Sequence, residues 1–229
     1  MSNGEIDYWK EPEFDESQIS SCCFAQSDFK IVFPDYRSSY LKQIWPKVTD
    51  LLKAKRIDCE LNLIERYMFV KTTDKTYDPY IIIRARDFIK LLSRSVPLEK
   101  AKLILNDDMY CEIVKLSSFV SNKEKLIKRR QRLIGPDGST LKAIEILTKC
   151  YVCLCGQTAA IIGPWKGLRK CYKLIVDAMK NFHPVYRLKE LMIERELAKN
   201  PEMKDKDWSL YLPKFKKSLK PVGKRNSQS

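Results

Sequence analysis

The chain has 229 residues, of which 44% are hydrophobic and 31% charged, and it can bury a sizeable core in one or two domains. No apolar run approaches the roughly 20 residues of a membrane-spanning helix. Residues 1–10 also lack the basic-then-apolar pattern of a signal peptide. We therefore expect a protein that stays inside the cell and has no membrane partner.

The net charge of +14 is distributed unevenly along the chain. Residues 111–229 hold 26 of the 43 basic side chains and 11 of the 29 acidic ones, a net charge of +15, whereas residues 1–110 carry −1. This one-sided excess favours a polyanion as the partner. Nucleic acid is favoured over a membrane surface, because no helix has a strongly apolar face without a core to bury it.

The first half begins with a predicted disordered tail at residues 1–20, which are acidic and poor in aliphatic side chains. The elements predicted after it are a strand at Phe29–Phe33, helices at Ser38–Trp45 and Lys47–Lys55, strands at Ile57–Leu63 and Tyr67–Thr72, and a helix at Pro79–Leu92. A connection follows, with a helix predicted at Pro97–Ile104.

The second half shows the same order of predicted elements. They are a strand at Glu112–Leu116, a helix ending at Ile134, a helix with Ser139 or Thr140 as its N-cap, strands at Tyr151–Cys155 and Thr158–Ile162, and a helix at Pro164–Met179. A further helix at Arg187–Lys199 and the helical spacing of Trp208, Tyr211, Leu212 and Phe215 predict a C-terminal helical extension. The basic tail, residues 214–229, is predicted to be disordered until bound.

Gly135 and Gly138 frame a tight loop between two of these helices. A Gly-x-x-Gly loop at a helix N-terminus brings bare backbone close to a ligand and directs N–H groups at it, which suits a phosphate. Strand, helix, Gly-x-x-Gly, helix, strand, strand, helix is the order of a type I KH domain. We therefore predict an α+β protein with two tandem type I KH-like domains (βααββα), at residues 21–109 and 110–183, followed by the helical extension at 184–213.

The first predicted KH-like domain lacks the glycines of this loop. Ile44-Trp45-Pro46-Lys47 stands where the second domain has Gly135-Pro136-Asp137-Gly138. The close backbone approach that a phosphate needs is lost, and so is the positive charge. We predict a degenerate domain that keeps its fold and binds protein; the alternative is that it only braces its neighbour.

The predicted RNA-binding residues are Lys128, Arg129, Arg130, Arg132, Gly135, Pro136, Asp137, Gly138, Ser139 and Lys142. KH domains hold about four nucleotides in a groove beside the loop. The cations would attract the RNA backbone, and the strand at Tyr151–Cys155 would meet the bases. Because an acid repels phosphate, Asp137 either weakens binding or serves the geometry of the loop.

Neither catalysis nor a metal site is expected. The only histidine is His183, and the basic half shows no acidic cluster and no nucleophile beside a base. The eight cysteines do not form the two separated ligand pairs of a structural zinc site. We predict a non-enzymatic protein with no cofactor, no metal and reduced thiols.

Long motifs carry a resemblance to one family. They include Lys128-Arg129-Arg130-Gln131-Arg132-Leu133-Ile134-Gly135, Gly163-Pro164-Trp165-Lys166-Gly167-Leu168 and Phe33-Pro34-Asp35-Tyr36-Arg37. Over about residues 20–217 the chain resembles KRR-motif small-subunit processome components. The resemblance implies a nuclear, nucleolar assembly factor that binds the small-subunit rRNA precursor and is needed for small-subunit rRNA processing and 40S subunit biogenesis. It also implies that the first KH domain binds protein, and we expect other processome proteins to bind this domain and the two tails.

The residues themselves leave a second function open. The chain could be a protein scaffold in a pre-ribosomal particle whose basic half contacts acidic protein segments and has little direct contact with RNA.

Overall fold

The computed structural model describes residues 26–203 and 206–213. The chain divides into two compact units, Met1–Met109 and Tyr110–Ser229. The two predicted tails, residues 1–20 and 214–229, and the aromatic Phe215 lie outside the described residues. The architecture is α+β, with a three-stranded antiparallel sheet in each unit.

The first unit consists of β1 (Asp28–Val32), α1 (Ser38–Lys53), β2 (Ile57–Asn62), β3 (Tyr67–Thr72), α2 (Ile81–Ser93) and the short α3 (Leu98–Ala101). Its sheet has the order β1-β3-β2, so β3 lies in the centre. On β3, Met68 and Val70 are fully buried, and their side chains point to the same face because side chains alternate along a strand. The helices α1 and α2 pack over this face with Leu52 and Phe88 among their buried side chains.

One prediction for the first unit was wrong. The two short helices expected over residues 38–55 form the single helix α1, which continues through Pro46. A proline inside a helix removes a backbone hydrogen bond and costs about 3 kcal/mol. The burial of Leu41, Val48 and Leu52 on one side of the helix offsets that cost. As a result, this unit has no loop where the second unit has its glycines.

The second unit consists of β4 (Tyr110–Lys115), α4 (Lys123–Ile134), α5 (Ser139–Thr148), β5 (Tyr151–Cys155), β6 (Thr158–Gly163), α6 (Trp165–Met179) and α7 (Pro184–Lys199). Its sheet has the order β4-β6-β5. A single apolar core joins the sheet to the helices, with Leu133 on α4, Ile144 on α5, Ile161 on β6 and Ile175 on α6 all fully buried. The predicted tandem KH-like fold is confirmed.

The ends of several helices differ from those predicted. Pro164 is the N-cap of α6, and α7 begins at Pro184 because His183 caps it, with Nδ1 accepting the Val185 N–H at 3.3 Å. The helix expected at Pro97–Ile104 is α3 followed by a 3-10 helix, Lys102–Leu105. Near the C-terminus, Trp208–Leu210 forms a 3-10 turn in place of the expected α-helix.

Within the described ranges, no helix is long and apolar enough to span a membrane. Those ranges also contain no group of three or more histidine, cysteine or acidic residues that could hold a metal ion.

Candidate nucleic-acid interface

The loop between α4 and α5 needs glycine at both ends, for different reasons. Gly135 has φ 75° and ψ 177°, a conformation that side chains strongly disfavour, and a Cβ there would lie 2.1 Å from Thr140 Oγ1. Gly138 has φ 74° and ψ 10°, but a Cβ there would meet no atom within 4 Å. The backbone at Gly138 is therefore open to the approach of a ligand.

The N-cap of α5 is Gly138, so the prediction of Ser139 or Thr140 was wrong. Ser139 is the first residue of the helix, and no side chain caps its N-terminus. The left-handed conformation of Gly138 turns the chain directly into the helix. Three N–H groups here are used internally. Gly135 donates to the Gln131 carbonyl at 2.8 Å, Gly138 to the Gly135 carbonyl at 3.4 Å, and Ser139 to the Pro136 carbonyl. The helix N-terminus itself remains without a side-chain acceptor, as an anion site requires.

Asp137 is exposed and also has a positive φ of 49°. Aspartate and asparagine adopt this left-handed region more readily than other residues with a side chain. This conformation supports the interpretation that Asp137 serves the geometry of the loop.

The basic residues of α4 lie on two different faces of the helix. Lys125, Lys128 and Arg132 are exposed and, at spacings of three and four, share one face. A different side of the helix carries Leu126 and Leu133, which are buried in the core. The exposed face leads directly into the Gly135–Gly138 loop.

Arg129 and Arg130 flank the buried side of α4 and are themselves half-buried. The Arg129 guanidinium donates to the Met179 carbonyl at the end of α6. Arg130 Nη1 donates to the Gly156 carbonyl, in the turn between β5 and β6, at 2.7 Å. By contrast, Arg132 donates a long hydrogen bond, 3.3 Å, to the exposed side chain of Asn181, its one hydrogen-bond partner among the described residues. The predicted cluster is therefore divided into two arginines that hold main-chain carbonyls and two cations, Lys128 and Arg132, that face solvent.

The remaining predicted residues lie around the start of α5. Pro136, Ser139 and Lys142 are exposed. The strand β5 lies at the edge of the sheet, and on its free edge the Val152 N–H donates to the Glu145 carboxylate at 2.9 Å. The sequence analysis did not predict that Glu145 would bind the edge of β5. The one feature that pointed to this contact was the position of Glu145 on the helix that precedes the strand.

Three solved structures illustrate the similarity of the fold. A chain in the crystal structure of the a/eIF2alpha-aDim2p-rRNA complex from Pyrococcus horikoshii OT3 is 23% identical, with a TM-score of 0.67 over 76% of this chain and 96% of that chain. A protein of unknown function from Aeropyrum pernix is 19% identical, with a TM-score of 0.69 over 78% and 96%. Dim2p from Pyrococcus horikoshii OT3 is 23% identical, with a TM-score of 0.64 over 73% and 99%.

Two family models match successive parts of the chain. Residues 27–107 match the Krr1 KH1 domain. Residues 109–199 match the second KH domain of the KRR1 small subunit processome component. These matches confirm the resemblance drawn from the motifs: the chain belongs to the KRR1 small subunit processome component family.

Proposed function

We propose that this protein is a non-enzymatic RNA-binding assembly factor of the small-subunit processome, located in the nucleolus and needed for small-subunit rRNA processing and 40S biogenesis. Its RNA ligand is a single-stranded segment of the small-subunit rRNA precursor. The observation that supports this proposal best is the N-terminus of α5, which no side chain caps and which the exposed basic face of α4 adjoins.

The loop and the basic face act on the RNA backbone in different ways. Gly138 leaves open space at the loop, so that a phosphate can approach the backbone at the start of α5. Lys128 and Arg132 supply long-range attraction from the helix that leads into it. The bases then lie toward β5, where the Val152 N–H already donates a hydrogen bond to the Glu145 carboxylate. Base contact therefore depends on side chains and on the remaining edge groups.

Arg129 and Arg130 have a positioning role in this proposal. Their hydrogen bonds to Met179 and Gly156 tie α4 to the end of α6 and to the turn after β5. This fixes the helix that presents Lys128 and Arg132. Their charge adds to the positive potential of the unit, whereas their guanidinium groups remain on the carbonyls.

The first unit binds processome proteins in this proposal. The unbroken helix α1 supports this role, because without a loop the unit has no open helix N-terminus at that position. The charge of −1 over residues 1–110, compared with +15 over residues 111–229, also gives this half much less electrostatic attraction for RNA.

The substitution Pro136→Asp tests the loop. Pro136 is exposed, so the change adds a negative charge beside the proposed phosphate site without disturbing the core. Because two like charges 4 Å apart repel by about 4 kcal/mol at an effective dielectric of 20, and less when solvent screens them, we expect RNA affinity to fall roughly 10- to 100-fold. Fluorescence anisotropy with single-stranded RNA measures this, and crosslinking in cells shows whether the pre-rRNA site disappears.

Pro136→Ala is the matched control and should bind RNA within about threefold of the natural chain. Equal RNA binding by the Asp and Ala variants would exclude the loop as the RNA clamp. If the pre-rRNA crosslinks persist in Pro136→Asp, rRNA binding survives and its contacts lie outside the loop. If the natural chain gives no pre-rRNA crosslinks and both variants retain the protein partners, the scaffold function becomes the better description.

The salt dependence of binding tests the exposed face of α4. The slope of log K against log salt is about −0.7 for each phosphate neutralised on a single strand. The double variant Lys128→Gln/Arg132→Gln should therefore flatten the slope by about 1.4. The control Lys189→Gln/Arg195→Gln removes the same charge from exposed positions on α7 and should leave the slope nearly unchanged. Equal slopes for both double variants would assign the attraction to net charge alone.

A further inference from the structure

A cluster of exposed aromatic and basic side chains lies at the start of α6. Trp165, the first residue of that helix, is 55% exposed, and Tyr110, the first residue of β4, is 38% exposed. Their ring centroids are 5.7 Å apart in an edge-to-face arrangement at 66°. The Arg169 guanidinium carbon lies 5.3 Å from the centroid of the Trp165 ring. We call these three residues the Trp165 platform.

The sheet register places the two aromatic residues together. Tyr110 pairs with Gly163, the last residue of β6, and Trp165 follows two residues later. The rest of this segment packs inward, with Gly167, Leu168 and Cys171 buried. Trp165 is therefore not needed to fill the core, although burial is the usual state of tryptophan.

The charge around the platform is positive. Lys166 and Arg169 are exposed, and among the residues that the structure describes neither forms an ion pair. Farther along the same helix, Lys170 pairs with Glu194. The platform thus offers an aromatic surface beside two cations, one of which, Arg169, already lies over the Trp165 ring.

The platform is separate from the Gly135–Gly138 loop. The loop lies at the N-terminus of α5. Gly167, two residues after Trp165, packs against the carbonyl of Thr148, the last residue of α5, and a Cβ added to Gly167 would lie 2.1 Å from that oxygen. The ten residues of α5 are about 15 Å long at 1.5 Å per residue. A nucleotide held at the loop therefore leaves the platform to a different part of the RNA.

We propose that the Trp165 platform is a second contact for single-stranded RNA, on which a base stacks beyond the nucleotides held at the loop. The stacked base contacts Trp165 and Tyr110, and Lys166 and Arg169 attract the flanking phosphates. This inference rests on the proposed RNA-binding function. RNA is favoured over protein because the cations beside the ring lack carboxylate partners and the whole unit is strongly basic.

The test uses the full chain and two oligouridine probes. A tetranucleotide can fill the groove at the loop, which holds about four nucleotides, and a 20-mer can also reach the platform. Trp165→Ala should raise the Kd of the 20-mer roughly 5- to 150-fold, which corresponds to the loss of one base–aromatic stack. The Kd of the tetranucleotide should stay within about twofold. Trp165→Phe should bind the 20-mer nearly as well as the natural chain, since it keeps an aromatic face.

Ile146→Ala is the matched control, because Ile146 is an apolar side chain on α5 that is 58% exposed and lies outside the platform. It should alter the Kd of neither probe. Ultraviolet crosslinking of the 20-mer, followed by mass spectrometry, should find uridine attached to the peptide that contains Trp165.

The outcomes separate this inference from the function on which it rests. If the natural chain binds neither probe, the RNA-binding function fails and the platform fails with it. If Pro136→Asp weakens both probes while Trp165→Ala changes neither, RNA binding survives and the platform inference is overturned. If Trp165→Ala loses a protein partner while both Kd values stay unchanged, the platform is a protein-binding surface, and the inference is again overturned.

Discussion

Replacing Gly167 with valine is expected to destabilise the second unit by roughly 3–5 kcal/mol, because the new side chain would enter space that backbone already occupies. A Cβ at this position would lie 2.1 Å from the Thr148 carbonyl oxygen and 3.0 Å from Cys150 Sγ. The carbonyl cannot move without disturbing the end of α5. Helix α6 would have to shift away from the core, which it fills with Leu168, Cys171 and Ile175.

Urea unfolding measures the loss of stability, and Cys171 makes the measurement specific to this unit. That thiol is fully buried, and burial raises its pKa far above the ordinary value. Its alkylation at pH 8, followed by mass spectrometry, therefore reports opening of the second core. Gly167→Val should expose Cys171 at a urea concentration where the natural chain still protects it.

Lys173→Val provides the control, since it places the same side chain at an exposed position on the same helix. Because valine has a lower helix propensity than lysine, this control should lower the free energy of unfolding by about 0.5 kcal/mol. A Gly167→Val variant as stable as this control would show that α6 can shift freely and that the close approach is unimportant.

The order of elements was predictable because hydrophobic alternation and turn residues agree along most of the chain. The bounds of β3 and β5 were predicted correctly, at Tyr67–Thr72 and Tyr151–Cys155. The continuous helix α1 was not predictable from local rules. A proline normally ends a helix, and only the burial of its apolar side in the folded unit outweighs that tendency.

The candidate site was predictable in composition but not in orientation. Four of the six basic residues before the loop were predicted to bind RNA. The structure instead directs two of them, Arg129 and Arg130, toward the carbonyls of Met179 and Gly156, which lie 50 and 26 residues away in the chain. Their helical spacing relative to Leu126 and Leu133 contained part of this information. The identity of the carbonyl acceptors could not be predicted in this way, because they come from the ends of other elements.

Replacing Arg84 with methionine is expected to lower the free energy of unfolding of the first unit by roughly 3–5 kcal/mol, since several main-chain acceptors would lose their donor together. Arg84 lies on α2 and is only 7% exposed. Its Nη1 donates to the carbonyls of Ile104 at 3.0 Å and Asn106 at 2.5 Å, and its Nη2 donates to that of Asp107 at 3.0 Å. One guanidinium therefore holds the segment that precedes the boundary at Met109.

Hydrogen exchange should locate the effect. In Arg84→Met, amides between residues 104 and 109 should lose protection first, and those of the central strand β3 should follow as the unit opens at lower urea. Arg84→Lys should fall between the natural chain and the methionine variant, because a lysine keeps the charge but cannot donate to several separate carbonyls in the fixed geometry of a guanidinium.

Arg86→Met is the matched control on the same helix. Arg86 is partly exposed and pairs with Asp87 at 2.9 Å, an interaction of the kind that contributes about 0–1 kcal/mol. If Arg84→Met were no more damaging than Arg86→Met, water or a shift of the 104–109 segment must satisfy the carbonyls. A large difference between the two would show that this buried arginine stabilises the first unit through its main-chain acceptors, since both variants remove one positive charge from the same helix.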